Sequence, residues 1–186
     1  MTRLLAAVLL AGLTLLPRVA SADSWTPVTF TGPNGSVARG FATESVGTPG
    51  ARLVVGCESG AADPWRGVAL LESTPLPAPT APDAGFETEV VASFFGRAPV
   101  TGRWRSKATA DGLLSWSASG EELRRSLVRE DRTRGQATLR LEIRRGDAKQ
   151  LLVFGVGSFA SHGGELAERC GGWGGDDGYK RRERGW

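Results

Sequence analysis

The residues of this chain that could carry out acid–base or nucleophilic chemistry are few and scattered. His162 is the only histidine, so any histidine-based general acid or base must be that residue. It lies near the start of a short helix, where a polar side chain is ordinarily just exposed. The sequence has no Gly-x-Ser-x-Gly, Ser-x-x-Lys, His-Glu-x-x-His, Walker or dinucleotide-binding pattern. We therefore predict no catalytic residue of these kinds and no cofactor.

Paired carboxylates are the other route to catalysis, because two of them suffice for a glycosidase. The acidic residues that fall in turns or at a helix start are Glu58, Asp63, Asp111, Glu121 and Glu122. Acidic side chains are favoured at a helix start by capping and by the helix dipole, without any catalytic role. Nothing in the spacing singles out two of them. We predict that the protein is not an enzyme, with a small cell-wall hydrolase as an alternative.

The first 22 residues have the pattern of a signal peptide. Arg3 precedes an apolar run over residues 4–16, and Ala20-Ser21-Ala22 supplies the small residues of a cleavage site. The run is shorter than the about 20 residues that span a bilayer. We expect cleavage after Ala22, a periplasmic or secreted location, and no stable membrane insertion of the mature chain.

An oxidising compartment determines how the two cysteines, Cys57 and Cys170, are interpreted. Two cysteines in a secreted chain most simply pair with each other, and the alternative is two unpaired buried thiols. We predict the disulfide. Two cysteines and one histidine at scattered positions do not have the spacing of a tetrahedral metal site, so no metal is expected.

Charge and aromatic residues define the candidate binding surface. The formal net charge is +3, and two of the arginines leave with the signal peptide, so the mature body lacks the basic face that nucleic acid requires. Exposed tryptophan suits sugar stacking or a protein interface, and arginines on one strand face could form a basic patch. The candidate residues are Trp65, Arg103, Arg105 and Arg140. For Trp104 and Trp116 we favour a core role, and the default interpretation of the arginines is a mixed-charge, solvated sheet face.

The elements that must position these residues are short strands joined by tight turns. Leu53, Val55 and Cys57 share one face of a strand, and residues 137–143 alternate with a strict period of two. Asn34-Gly35 and Asp111-Gly112 favour hairpin turns. Counting such segments predicts about eight strands, and residues 150–156, apolar on both faces, are expected to form a central strand.

Two short helices complete the predicted architecture. Ser119-Gly-Glu-Glu122 is a capping box, and the charged segment 129–135 is expected to end the helix that it opens. Residues 158–170 predict a second helix, with Phe159, Leu166 and Cys170 towards the sheet. The fold class is therefore mainly β: one antiparallel, sandwich-like or strongly curved β domain over residues 23–172. A charged, flexible tail over residues 173–186 follows it, and the proline-rich segment 73–85 is expected to be a long surface loop.

Three segments resemble parts of a known family. Residues 52–60 resemble its strand that ends in a cysteine and a turn, residues 103–106 and 113–116 its middle hairpin, and residues 154–173 its closing strand, short helix, cysteine and tryptophan. The order is similar to that of the small periplasmic proteins associated with type VI secretion, the VasI/TagO type, and of similar uncharacterised bacterial secreted proteins. The resemblance implies a non-catalytic, β-rich periplasmic accessory protein and carries over no catalytic residues.

These observations lead to one functional expectation and its alternatives. We expect a non-catalytic secreted or periplasmic accessory or binding protein of the bacterial cell envelope, with a protein or an envelope polymer as partner and no nucleic acid. The alternatives are the small cell-wall hydrolase and an inhibitor or chaperone-like partner of a secreted enzyme that works through loop 73–85.

Overall fold

The structure is a computed structural model, and it describes residues 25–60, 64–75, 85–117, 120–134 and 137–171. The predicted signal peptide, the predicted charged tail, Asp63, Ser119 of the capping box and most of the proline-rich loop lie outside these residues.

The described residues form nine strands and two helices, with a short 3₁₀ turn (Phe159–His162) leading into the second helix. Their bounds are β1 Thr26–Thr31, β2 Val37–Glu44, β3 Ala51–Glu58, β4 Arg66–Glu72, β5 Phe86–Phe94, β6 Val100–Thr109, β7 Gly112–Ser117, α1 Gly120–Arg134, β8 Thr138–Arg145, β9 Ala148–Gly155 and α2 Gly163–Arg169.

All nine strands belong to one antiparallel sheet with the order β1-β2-β3-β4-β7-β6-β5-β8-β9. The predicted mainly β, antiparallel class with two short helices is confirmed, with nine strands in place of about eight. The sheet curves until β9 reaches the end of β2, where Ser45 bridges to Phe154 and the Val46 N–H donates to the carbonyl of Val153 at 2.7 Å. It does not close into a barrel.

The prediction of a central strand over residues 150–156 is wrong, because β9 is the last strand in the sheet order. Leu152 and Phe154 are buried in the core, whereas Leu151 on the other face is 57% exposed. Apolar residues on both faces of a strand predict that both faces are covered, but they do not show whether both edges of the strand are paired. Here Ser45 and Val46 cover only part of the free edge.

The inner face of the curved sheet carries the main core. Leu53, Val55 and Cys57 lie on it, as their alternation predicts, and so do the inward residues of β8. Trp104 belongs to this cluster, while Trp116 is half-buried against a second cluster on the outer face of the sheet. The two tryptophans therefore fill different layers. Their register explains this, since Trp104 lies opposite Ser117 and Trp116 lies opposite Arg105.

Buried polar side chains also lie among the inward residues of the strands. The hydroxyl groups of Thr88, Ser106 and Ser115 form a chain across β5, β6 and β7 with O–O distances of 2.7 Å. Glu72 and Arg145 form an ion pair whose two side chains are almost fully buried. Because buried polar groups are costly unless they have partners, these contacts satisfy hydrogen-bonding needs rather than offer free ligands.

The first helix is longer than its sequence predicts. The charged segment 129–135 was expected to end α1, yet the helix continues to Arg134 because its acidic residues have partners. Glu130 contacts two arginines, and Asp131 accepts N–H bonds of 2.7 Å from Ser158 and Ala160. The carboxylate of Asp131 thereby holds the start of the 3₁₀ turn against α1.

The predicted disulfide is confirmed. Cys57 at the end of β3 is joined to Cys170 just after α2, with Cα atoms 5.8 Å apart and a sequence separation of 113. Phe159 and Leu166 are buried together with Cys170, as the helical spacing predicts. Gly171 then adopts φ +61°, which ends the helix in the left-handed conformation that glycine tolerates best.

Candidate functional site

The four residues of the predicted binding surface do not form one patch. Arg103 and Arg105 are neighbours on the outer face of β6, and Arg140 lies on the same face of β8, on the far side of β5. Trp65 precedes β4 and packs edge-to-face on Phe30, with ring centroids 6.0 Å apart. The structure therefore brings the two β6 arginines together and places Trp65 in a different part of the outer face.

Acidic residues lie between these arginines. Glu87 accepts a hydrogen bond from Arg103 at 3.2 Å, and Glu89 and Glu142 accept bonds from Arg144 at 2.8 and 2.6 Å. The hydrogen bond to Glu142, with the charges of both carboxylates, raises the pKa of Arg144 above its ordinary value. The outer face of β5, β6 and β8 thus carries several ion pairs, and Arg140 on the same face takes part in none of them.

A cleft of about 290 Å³ opens between α1 and the β5–β6 hairpin. Its floor is apolar, because the inward residues of the two strands continue past the point where α1 covers them. The apolar lining residues are Val90, Ala92, Phe94, Ala98, Val100, Trp104 and Leu123. Gly102 places no side chain beside the Trp104 ring, and a Cβ there would lie 3.8 Å from the indole nitrogen. The indole therefore forms part of the floor without obstruction.

The rim of this cleft is polar. Glu122, Ser126 and Arg129 line it from α1, and Arg97 lines it from the turn between β5 and β6. An apolar floor with a few polar groups at its edge is typical of small-ligand sites, and the volume is at the lower limit of their usual range of about 300–1,000 Å³. The sequence predictions did not include this site. The period-two pattern of β5 shows its apolar face but does not show that α1 leaves part of that face uncovered.

A second pocket of about 430 Å³, which we call the arginine pocket, adjoins the cleft. Arg97, Arg134 and Arg140 line it, and it shares the residues Phe94, Arg97 and Glu130 with the cleft. These three residues therefore form a wall that borders both the apolar cleft and the basic pocket.

Glu130 is the buried group in that wall. Its side chain is 2% exposed, and its Oε1 accepts a hydrogen bond of 2.9 Å from the Nε of Arg97. The Nε of Arg134 lies 3.4 Å from Oε2. Within the described part of the chain, no hydrogen bond reaches Oε2. Two guanidinium groups thus balance one buried carboxylate, as burial of a charge requires.

Three of the five carboxylates considered for catalysis have structural partners. Glu58 is buried and accepts bonds from the backbone and side-chain amides of Asn34 at 2.8 and 2.7 Å, which fixes the β1–β2 turn. Asp111 accepts the N–H of Thr31 at 2.8 Å. Glu121 binds Arg124 and Arg125 on α1. These contacts account for the positions of the three carboxylates without an acid–base role.

The single histidine also has a packing role. The His162 ring lies against Phe41, with centroids 4.6 Å apart, and the guanidinium of Arg169 lies 5.5 Å from the same phenyl ring. Both groups come from the 3₁₀ turn and α2 and cover the inner face of β2. The His162 ring therefore packs over Phe41 and helps to bury this end of the core.

Comparison with known proteins identifies no relative: no family model, no curated protein and no solved structure matches this chain. In the segments that the structure describes, no three His, Cys, Asp or Glu side chains come together in a group that could hold a metal ion. None of the helices in those segments has both the length and the apolar character needed to cross a membrane.

Proposed function

We propose that this protein is a non-catalytic binding protein of the bacterial cell envelope that holds an apolar part of its ligand in the cleft between α1 and the β5–β6 hairpin. The observation that carries the proposal is the composition of that cleft. Apolar side chains around Trp104 form its floor, and its charged lining residues lie at the rim, except for the buried Glu130 in the wall that it shares with the arginine pocket. The indole of Trp104 is held in place by the core, so it gives the floor a rigid apolar surface at low entropic cost.

Export of the chain is part of the same proposal. A disulfide that joins β3 to the end of α2 supports an oxidising compartment, since such bonds are rare in the cytosol. Together with the leader pattern, this supports a periplasmic or secreted protein cleaved after Ala22. An accessory role in type VI secretion is proposed on the sequence resemblance alone.

The structure suits binding because both walls of the cleft are fixed. The floor belongs to a nine-stranded sheet, and the Arg97–Glu130 contact ties α1 to the hairpin opposite. A site on rigid elements loses less conformational entropy when it binds, which favours affinity.

Nile red, a neutral apolar dye, tests the cleft directly. We expect the full-length protein to bind it with enhanced fluorescence, and we expect Ser126→Trp to weaken that binding at least tenfold, because the indole would fill the cleft. Arg125→Trp is the matched control: it adds the same side chain to the exposed face of α1 and should leave the affinity unchanged. Equal affinity of the wild type and Ser126→Trp, or no binding by the wild type, would refute the proposal.

A further inference from the structure

The charge of the arginine pocket points to the kind of group that its ligand carries. Among the described residues, the guanidinium groups of Arg97, Arg134 and Arg140 and the single carboxylate of Glu130 line the pocket. Arg97 and Arg134 contact that carboxylate, yet their side chains remain 50% and 40% exposed. The pocket is therefore positive overall and open to solvent.

Of the three arginines that line the pocket, Arg140 is the one whose positive charge has no acidic partner among the described residues. Among the residues described, no ion pair or side-chain hydrogen bond involves it, and the residues opposite it in the sheet are Ser93 and Val153. A guanidinium in this position can form two parallel hydrogen bonds to a carboxylate or phosphate, which is the geometry that the side chain favours. An anion in the pocket would balance its charge.

The apolar cleft adjoins this pocket, and Phe94, Arg97 and Glu130 line both of them. Its volume of about 290 Å³ corresponds to roughly ten groups of the size of a water molecule at about 30 Å³ each. A methylene group is of similar size, so a chain of roughly eight to ten carbons would occupy the space.

We propose that the ligand of this site is an anionic amphiphile, with its acidic headgroup in the arginine pocket and its acyl chain along the floor of the cleft. The proposal rests on the proposed function, because it requires the cleft to bind apolar groups. It adds that the headgroup must be negatively charged, which the positive lining of the adjacent pocket favours over a neutral or cationic group.

Calorimetric titration of the full chain with octanoate, 1-octanol and octylamine tests the headgroup, with all ligands below their aggregation concentrations. We expect octanoate to bind about tenfold or more tightly than octanol, as a charge-assisted hydrogen bond implies, and octylamine to bind most weakly. Raising the salt concentration should weaken the binding of octanoate and not that of octanol. Octanol that binds as tightly as octanoate would overturn the inference while the proposed function survives, whereas no binding of either would overturn both.

Arg140→Gln locates the headgroup. We expect this variant to lose about tenfold in affinity for octanoate and to keep the wild-type affinity for Nile red and octanol. Arg105→Gln is the matched control, because it removes an exposed arginine of the same sheet face that lines neither cavity, and it should bind octanoate like the wild type. Equal losses in both variants would assign the effect to net charge and overturn the site.

Vesicles distinguish a single bound amphiphile from a membrane surface. We expect the protein to bind monomeric octanoate and not to co-sediment with phosphatidylglycerol vesicles at the same lipid concentration. Co-sedimentation without binding of monomeric octanoate would show that the basic surface binds a bilayer, and the inference would be wrong.

Discussion

The carboxylate of Glu130 and the guanidinium of Arg97 join the two walls of the cleft through a 2.9 Å hydrogen bond. Glu130 lies in the second half of α1, and Arg97 lies in the turn that connects β5 to β6. One partner is almost fully buried, while the other is half-exposed. Because a buried carboxylate depends on its partners, this contact links the stability of the fold to the width of the cleft.

We predict that Arg97→Gln lowers the free energy of unfolding by about 1–3 kcal/mol, because it takes a hydrogen-bond donor from a buried carboxylate. Urea denaturation measures the change. The double variant Arg97→Gln with Glu130→Gln should lose less stability than the sum of the two single variants, since it also removes the buried charge. Additive losses would contradict the coupling.

Arg103→Gln serves as the control for that experiment. Arg103 pairs with Glu87 on the outer face of the sheet, where the two side chains are 81% and 63% exposed. Exposed pairs of this kind contribute about 0–1 kcal/mol. The control variant should therefore unfold at nearly the wild-type urea concentration.

The sequence indicates those parts of the fold that depend on local patterns. The turn at Asn34-Gly35, the inward face of β3 and the buried positions of β8 follow from turn chemistry and from a period of two. The position at which α1 ends cannot be predicted in this way, because it depends on long-range contacts. Asp131 is bound by backbone groups 27 and 29 residues away, and a local pattern of charges cannot show such partners.

The cleft is harder to predict for the same reason. The cleft exists because α1 covers only part of the inner face of β5 and β6, and this depends on where the helix crosses the sheet. In sequence, Val90, Ala92 and Phe94 look like any buried strand face. Trp104 is likewise predicted to lie in the core, and it does, yet the part of its ring beside Gly102 also lines the cleft.

The disulfide should contribute a large share of the stability. The chain-entropy model assigns about 4–5 kcal/mol to a bond that closes a loop of 113 residues, and loss of a native disulfide commonly costs about 2–5 kcal/mol. We predict a loss in this range for Cys57→Ala with Cys170→Ala, measured by urea denaturation. The chain has no other cysteine, so the wild type under dithiothreitol should match the variant. A reduced protein as stable as the oxidised one would disprove this.

Close packing of backbones in the β2–β3–β4 part of the sheet makes Gly40 sensitive to substitution. Gly40, Gly56 and Gly67 lie side by side in register. A Cβ at Gly40 would lie 2.7 Å from the Cα of Gly56 and closer still to the carbonyl oxygen of Val55, so the strands would have to separate. We predict that Gly40→Ala lowers the free energy of unfolding by more than about 2 kcal/mol.

Gly164 provides the matched substitution. It lies in the first turn of α2, and an added Cβ would meet no atom within 4 Å. Alanine is favoured over glycine in a helix by up to about 1 kcal/mol, so Gly164→Ala should leave the stability unchanged or raise it slightly. Similar losses in the Gly40 and Gly164 variants, measured by thermal unfolding, would refute the steric explanation.

The N-terminal turn of α1 should make stability dependent on pH. Hydrogen bonds from Arg124, together with the charges of Arg124 and Arg125, lower the pKa of Glu121 below its ordinary 4.5, although partial burial opposes the shift. A lowered pKa in the folded state contributes stability that is complete above pH 4.5 and disappears as the pH falls through the folded-state pKa. We expect Glu121→Gln to be less stable than the wild type by about 0.5–1 kcal/mol at pH 7, with the gap shrinking steadily below pH 4.5. A gap that stays constant between pH 7 and pH 3 in urea denaturation would show that the ion pairs of Glu121 are not its cause.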